Sequence, residues 1–264
     1  MKYAMKKNYL EEICGFKGKV VLVTGATGQL GQEICKAYER AGARVIGTDK
    51  VLAPSMIIKS SSVKYLEMDI TNLSSIKSTF AGAMRKYKRI DILVNNAGVS
   101  TFEPFEERPE KSFDWVMDVN LKGTFFCIQT YINLLKAAKK RGCVVNIASI
   151  YGNISSDFRI YTDCPRKNSE VYGATKAGII QMSKYFGVHA AQFGIRVNCI
   201  SPGGIFNPRN PQGKDFIKNY SFRCPMGRMA EAREMTGAVL FLSSDSASYI
   251  TGQNLLIDGG MSCW

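Results

Sequence analysis

Short β-branched runs alternate with longer amphipathic stretches along this chain, a pattern that predicts βαβ units and a parallel sheet. Val20 to Thr24 reads as a first strand. Apolar positions at helical spacing follow from about Gln29 to Ala41 and stop at Gly42, a glycine placed to end a helix. Arg44 to Thr48 and Val63 to Met68 read as the second and third strands. Residues 72–88 have helical spacing, Ile90 to Val94 returns to strand, one long helix is expected over roughly 110–138, and Cys143 to Ala148 is a fifth strand. A helix over 170–192, a strand from Arg196 to Ile200, a helix near 231–243 and a short strand from Leu255 to Ile257 complete the alternation. The simplest account is an α/β, doubly wound architecture with a seven-stranded parallel sheet flanked by helices. Residues 1–15 read as an N-terminal extension and residues 16–264 as a single domain, without internal repeat or low-complexity linker.

Two segments break the alternation. Residues 151–169 and 201–225 hold Gly, Pro, Asn and Ser without clear periodicity. Both follow predicted strands, so both lie at the carboxyl edge of the sheet, where such folds bind ligands. They are read as substrate loops.

Composition narrows the function classes. The 264 residues are 45% hydrophobic and 22% charged, which suits a globular protein and excludes disordered, collagen-like and coiled-coil chains. Lys and Arg number 35 against 22 Asp and Glu, a net charge of +13. The basic runs Arg85–Arg89 and Lys139–Arg141 end predicted helices, where cations complement the macrodipole. No groove-reading element accompanies them, so no nucleic-acid partner is expected. The single histidine, His189, disfavours a His-based zinc site and a Ser-His-Asp triad, and no metal is expected. No apolar run approaches the roughly 20 residues of a membrane helix. The N-terminus is basic but lacks an apolar stretch and carries Glu11 and Glu12, so neither a secretory signal nor a membrane partner is expected. Eight scattered cysteines without a CxxC pair read as reduced thiols in a cytoplasmic protein.

Candidate chemistry begins at the first strand end. Thr24-Gly25-Ala26-Thr27-Gly28-Gln29-Leu30-Gly31 closes a strand and opens a helix. Its glycines permit a tight turn, close backbone approach to a pyrophosphate and tight helix–sheet packing, and the free N–H groups at the helix start face the anion. This is the phosphate turn of a dinucleotide-binding Rossmann fold, and it makes Gly25, Thr27, Gly28, Gln29, Leu30 and Gly31 candidate cofactor contacts. Asp49 ends the second strand, 18 residues after Gly31. A carboxylate there accepts hydrogen bonds from the adenosine ribose and repels a 2′-phosphate, which favours NAD(H) over NADP(H), with Lys50 and Arg44 as the opposing features. Asp69-Ile70 at the third strand end is expected to read the adenine, and the backbone of Asn96, Ala97 and Gly98 to line the adenosine. Asn95 is expected to fix the loops structurally.

With these pieces in order, the chain resembles the short-chain dehydrogenase/reductase family in its single-domain branch, from about Phe16 to Gly260. The resemblance rests on TGATGQLG, Asp69, NNAG at 95–98, Asn120 in DVNLKG, Ser149 in VVNIAS, Tyr172-Gly-Ala-Thr-Lys176, Ser201-Pro202-Gly203-Gly204 and a terminal TGQNLLIDGG. A second YxxxK spacing, Tyr3 to Lys7, stands in a tail with no site around it. Tyr172 and Lys176 are four apart on a predicted helix and share a face. A free phenol titrates near about 10, and a neighbouring ammonium together with an oxidised nicotinamide favours its phenolate. Tyr172 is thus expected to act as general acid or base, Lys176 to hold the nicotinamide ribose, and Ser149 to orient the substrate oxygen. The resemblance implies that Asn120 holds a water in a proton relay, and that Pro202, Gly203 and Ile205 pack against the nicotinamide. It also implies a homotetramer or homodimer.

Two departures stand out. Gln29 occupies the position where this branch usually has a glycine, with Gly28 one place earlier, closer to the spacing of the longer sugar-nucleotide epimerases. Asn207 stands where a threonine is common. Ser149 and Tyr172 are 23 positions apart, more than usual, and the extra chain from Ser155 to Lys167 is similar to the aromatic-rich insert of reductases in bacterial surface-polysaccharide and flagellin-glycan sugar pathways. Its alternative is a surface flap. Arg209, Lys214, Lys218 and Arg223 in the second loop suit an anionic small-molecule substrate, or are solvated charges. The reading is an NAD(H)-dependent oxidoreductase interconverting a secondary alcohol and a ketone on a sugar or related polar substrate. The alternatives are a 3-oxoacyl-thioester reductase and a non-catalytic nucleotide-sensing module.

Overall fold

The computed structural model describes residues 9–163 and 167–264. The Tyr3 to Lys7 spacing and Cys164, with neighbouring insert residues, lie outside the described residues. Seven parallel strands run β1 Val20–Thr24, β2 Arg44–Asp49, β3 Val63–Glu67, β4 Ile92–Asn95, β5 Gly142–Ile147, β6 Ile195–Pro202 and β7 Asn254–Ile257, in the spatial order β3-β2-β1-β4-β5-β6-β7. The order reverses between β1 and β4, which opens a crevice at their carboxyl ends.

Burial follows strand position. The central strand β1 is buried throughout, whereas the edge strands β3 and β7 are largely open to solvent on one side. Alternate residues of β1 feed two cores: Val20 and Leu22 pack with Phe80, Tyr131 and Val197, while Val21 and Val23 pack with Ile34, Tyr38 and Val239.

The helices are α1 Tyr9–Cys14, α2 Gln29–Arg40, α3 Leu73–Tyr87, α4 Glu110–Val116, α5 Thr124–Ala137, α6 Glu170–His189, α7 Lys214–Arg223 and α8 Thr236–Ser243. Asn72 caps α3 by accepting from the N–H groups of Ser74 and Ser75. Gly42, at φ +86, turns the chain out of α2 as its position predicts. None of the described helices is long and apolar enough to cross a membrane.

Two expectations change. The single helix over 110–138 is α4, a π-helical stretch from Met117 to Gly123, and α5. Its backbone stays helical throughout, so apolar spacing does not reveal the extra residue per turn. The loop 201–225 contains α7, whose sparse apolar residues escape a periodicity argument. In the N-terminal extension, α1 is tied to the far end of the chain, where Ser246 Oγ donates to the Ile13 carbonyl at 3.0 Å.

The two irregular segments are one unit. Ile150, Ile160, Tyr220 and Cys224 form a small core of their own, with Tyr161 against Phe216 at 5.0 Å between ring centres. Asp163 Oδ2 accepts from the N–H groups of Asp215 (3.0 Å) and Phe216 (3.3 Å), so a residue of the first loop caps the helix of the second.

Candidate active site

The crevice holds a cavity of about 1360 Å³. Every catalytic and cofactor-contact residue proposed from the sequence lines it except Asn120, which is buried. The cavity divides into a nucleotide end and a polar end.

At the nucleotide end, Gly25 sits at φ +63, where a side chain would be strained and would also meet the backbone of Ala97 at 2.7 Å. A Cβ on Gly31 would fall 2.1 Å from the Gly25 carbonyl oxygen, so this glycine lets α2 close on the turn. Gly28 opens α2 without a side-chain cap, which leaves the first N–H groups of the helix facing the cavity. That cradle, with a carboxylate at the end of the next strand, fits a dinucleotide.

Asp49 Oδ2 accepts from the Thr27 N–H (3.0 Å) and the Thr27 hydroxyl (2.6 Å), and its Oδ1 accepts from the Lys50 N–H (2.9 Å). Thr27 therefore serves the carboxylate rather than presenting its own hydroxyl to the cavity. Lys50 forms an ion pair with Asp69 at 2.8 Å. Burial pushes the Asp69 carboxyl up, but hydrogen bonds from Lys50 and Thr71 outweigh it and hold the group below its ordinary value. Asn96 uses its side-chain amide on the carbonyls of Thr24 (3.0 Å) and Gly25 (2.9 Å), so its contribution to the cavity is backbone. Asn95 is a buried structural residue, donating to Asn146 Oδ1 at 2.8 Å.

At the polar end, β5 delivers Ser149 and α6 delivers Tyr172 and Lys176. Ser169 caps α6 by accepting from the Tyr172 N–H at 3.2 Å. Gly152, which sequence reasoning passed over, lets the turn after Ser149 touch α6: its Cβ would sit 2.7 Å from the Lys176 carbonyl carbon. Ser149 and Tyr172 both line the cavity, and the Ser149 side chain acts to lower the Tyr172 phenol. Beneath them Asn153 donates to Ser201 Oγ (3.3 Å), Ser201 donates to Asn254 (2.7 Å) and Asn254 donates to Asn153 (3.1 Å), a closed ring of three side chains that braces the Ser149 turn. On the other side of the cleft Arg108 donates to Glu170 at the start of α6, to Glu103 and to Thr101.

Lys176 is 3% exposed, with Nζ donating to the Ile147 carbonyl at 2.9 Å and lying 5.4 Å from the centre of the Tyr172 ring. Burial lowers its ammonium to about 8. Burial also pushes the Tyr172 phenol up, against the hydrogen bond with Ser149, and Tyr151 adds to the rise. Burial is the largest influence on each group, raising the Tyr172 phenol and lowering the Lys176 ammonium, and the acidification expected for Tyr172 rests also on the charge of an oxidised nicotinamide.

Asn120 lies in the π-helical stretch and is fully buried. Its Oδ1 accepts from the Val99 N–H (2.8 Å), and its amide donates to the Val99 carbonyl (2.9 Å) and to Thr175 Oγ1 (3.1 Å). It joins the loop after β4 to α6, one residue from Lys176.

Pro202, Gly203 and Ile205 form the third wall, and Gly204 N–H donates to the Tyr220 hydroxyl at 2.5 Å, which ties that wall to α7. Of the four loop cations only Arg209 borders the cavity. Arg223 pairs with Asp157 at 2.5 Å. Lys111, Asp114 and Trp115 on α4, with Phe102, Tyr151 and Asn168, also line the polar end and were not singled out from the sequence. The spacing of the α4 residues on one helical face was their only signal.

A family model described as enoyl-(acyl carrier protein) reductase matches residues 25–262. A solved short-chain dehydrogenase from Leptospira borgpetersenii with bound NAD+ superposes with a TM-score of 0.89 and 45% identity, covering 99% of this chain and 98% of that one. The 3-oxoacyl-[acyl-carrier-protein] reductase FabG of Thermotoga maritima is 33% identical over 93% of this chain and 98% of its own. The L-fucose dehydrogenase of Bos taurus is 32% identical over 93% of this chain and 90% of its own. With the sheet order, the glycine turn and the Ser149, Tyr172 and Lys176 cluster, these likenesses show that the chain belongs to the short-chain dehydrogenase/reductase family, oxidoreductases that act on alcohol and ketone groups.

Proposed function

We propose that this chain is an NAD(H)-dependent oxidoreductase that interconverts a secondary alcohol and a ketone on a sugar or sugar-derived polar substrate, with Tyr172 as general acid and base. One observation carries the reading: Ser149, Tyr172 and Lys176 face the same cavity as the glycine turn and Asp49. A nicotinamide dinucleotide bound there supplies or accepts the hydride. Ser149 and the Tyr172 phenol face the same cavity and present two polar groups to a substrate oxygen. Burial favours the protonated phenol, the form that donates a proton to a carbonyl oxygen and is left as phenolate, and in the reverse direction that phenolate takes the proton from an alcohol. Lys176, held on Ile147, lies 5.4 Å from the Tyr172 ring centre and would hold the ribose of a bound nicotinamide cofactor. Asn120 has both amide hydrogens committed, so only its acceptor atoms remain to hold a relay water.

Three features support NAD(H) over NADP(H). Asp49 stands at the ribose end of the cradle, Lys50 is engaged by Asp69, and Arg44 starts β2, about 16 Å of extended chain away from Asp49. Asp49→Ala is expected to narrow the preference for NADH over NADPH, and an unchanged ratio would refute this assignment.

The polar end carries mixed charge, with Lys111 beside Glu110 and Asp114, which suits a hydroxylated substrate better than a strongly anionic one. Likeness to the Thermotoga reductase supports a second reading, reduction of a 3-oxoacyl thioester. A screen of NADH oxidation with keto-sugars and 3-oxoacyl thioesters, and of NAD+ reduction with sugars and sugar acids, separates the two. Tyr172→Phe should lower turnover at least a hundredfold while still binding NADH, in line with loss of a general acid. Turnover that survives this change would reject the mechanism.

We also propose self-association as a homodimer or homotetramer. Tyr185 and Val188 on α6, Phe222 on α7 and Trp264 at the C-terminus are large apolar residues left exposed. Light scattering of the purified protein tests this, and a monomer would reject it.

A further inference from the structure

The two departures noted in the sequence meet in space. Gln29 Nε2 donates to the Phe206 carbonyl at 2.6 Å, across 177 positions of chain, and thereby holds the loop after β6 against the glycine turn. One residue on, Asn207 turns its side chain back, and Oδ1 accepts from the Arg209 N–H at 3.0 Å. Arg209 then reaches the first turns of α2, where Nη2 donates to Gln32 Oε1 at 3.2 Å. Gln32 is buried and is itself oriented by donating to the Thr27 carbonyl at 2.8 Å. Gln212 stitches the loop from within, donating to the Ile205 carbonyl at 3.0 Å. Neither the glutamine nor the asparagine is therefore a loose substitution, because together they hold one guanidinium over the phosphate turn.

This arrangement sets two positive elements against each other. The uncapped start of α2 carries the positive end of the helix dipole. Arg209 lines the same cavity, and among the described residues no carboxylate pairs with it. Among the described residues its guanidinium donates to a neutral amide oxygen, Gln32 Oε1. Such a placement is favourable with an anion between the two, and guanidinium geometry suits phosphate oxygens through paired N–H donors.

We propose that Arg209 is a cofactor-binding residue of the site already described, a loop-borne contact to the dinucleotide pyrophosphate, with Gln29, Gln32 and Asn207 as its positioning residues. The proposal rests on the dinucleotide reading of the cleft and assigns to this chain a charged contact held in place by the two residues that depart from the family pattern, Gln29 and Asn207.

The test is direct titration of wild type, Arg209→Ala and Arg209→Lys with NADH, ADP-ribose and adenosine. Arg209 is exposed, and a melting curve identical to wild type confirms that the variants fold. Arg209→Ala should weaken NADH and ADP-ribose alike, by about tenfold or more for a lost charge-assisted hydrogen bond, and leave adenosine unchanged. The wild-type affinity for ADP-ribose should fall more steeply with salt than that of the variant. Arg209→Lys should recover part of the loss, since it keeps the charge without the fork. ADP-ribose affinity within twofold of wild type in Arg209→Ala would overturn the proposal, as would a defect seen only in substrate KM. If wild type binds neither NADH nor ADP-ribose, the dinucleotide reading itself fails.

Discussion

Lys176 Nζ donates to the main-chain oxygen of Ile147 at 2.9 Å, and among the described residues no carboxylate pairs with it. A buried ammonium served by a carbonyl rather than a counter-charge is kept at a cost to stability, and the cost depends on pH.

That dependence has a definite sign. The amine titrates near 10.5 when unfolded and near about 8 when folded. Below about 8 both states are charged and the folded protein bears the whole burial penalty. Between the two values the unfolded chain binds more protons, so stability rises with pH. The shift corresponds to about 3 kcal/mol, and the lost hydrogen bond in Lys176→Met offsets about 1 kcal/mol of it. Urea denaturation at pH 7 should show Lys176→Met more stable than wild type by about 2 kcal/mol, with the advantage disappearing as the pH approaches 10.5. A variant no more stable than wild type at neutral pH would mean that the amine is not depressed.

Two glycine substitutions should move stability in opposite directions. Gly31→Ala places a Cβ 2.1 Å from a carbonyl oxygen, and overpacking of this kind costs about 1–3 kcal/mol. Gly237 is in α8 with nothing within 4 Å of a Cβ, so Gly237→Ala should stabilise by about 0.5–1 kcal/mol. Melting temperatures of the pair check both signs, and Gly31→Ala should also weaken NADH binding.

Arg108 has a side chain only 5% exposed, joined to Glu170 on α6 and to Glu103 in the loop after β4. Arg108→Ala is expected to cost about 2 kcal/mol, discounted for the partial exposure of both carboxylates. Lysine cannot span the two partners with a planar fork, so Arg108→Lys should recover less than half of the loss in chemical denaturation. Full recovery would show that charge alone matters here.

Asp163→Ala removes the cap on α7 supplied from the other loop. A loss of about 1 kcal/mol should speed amide exchange in residues 214–223 about fivefold while leaving the central strands unchanged. Uniform acceleration across the sheet would instead show that the two loops and the main core unfold together.

The strands and the glycine turn were legible because their signals are local. β1 opens with four apolar residues in a row, Gly42 ends α2 at the expected place, and Tyr172 and Lys176 share a face simply because they are four residues apart on a helix. Asn120 was legible only by resemblance: the π turn that carries it inward differs from the flanking α-helix by one residue per turn, and apolar spacing does not register so small a change. The remaining features belong to the tertiary structure. Asp163 meets α7 across 52 positions, and Arg209 meets Gln32 across 177, distances at which composition and periodicity carry no information. The direction in which Tyr172 and Lys176 titrate was likewise decided by packing. Proximity of a phenol and an ammonium argues for phenolate, but the fold buries Lys176 and half-buries Tyr172, and desolvation of a charge depends on everything assembled around it.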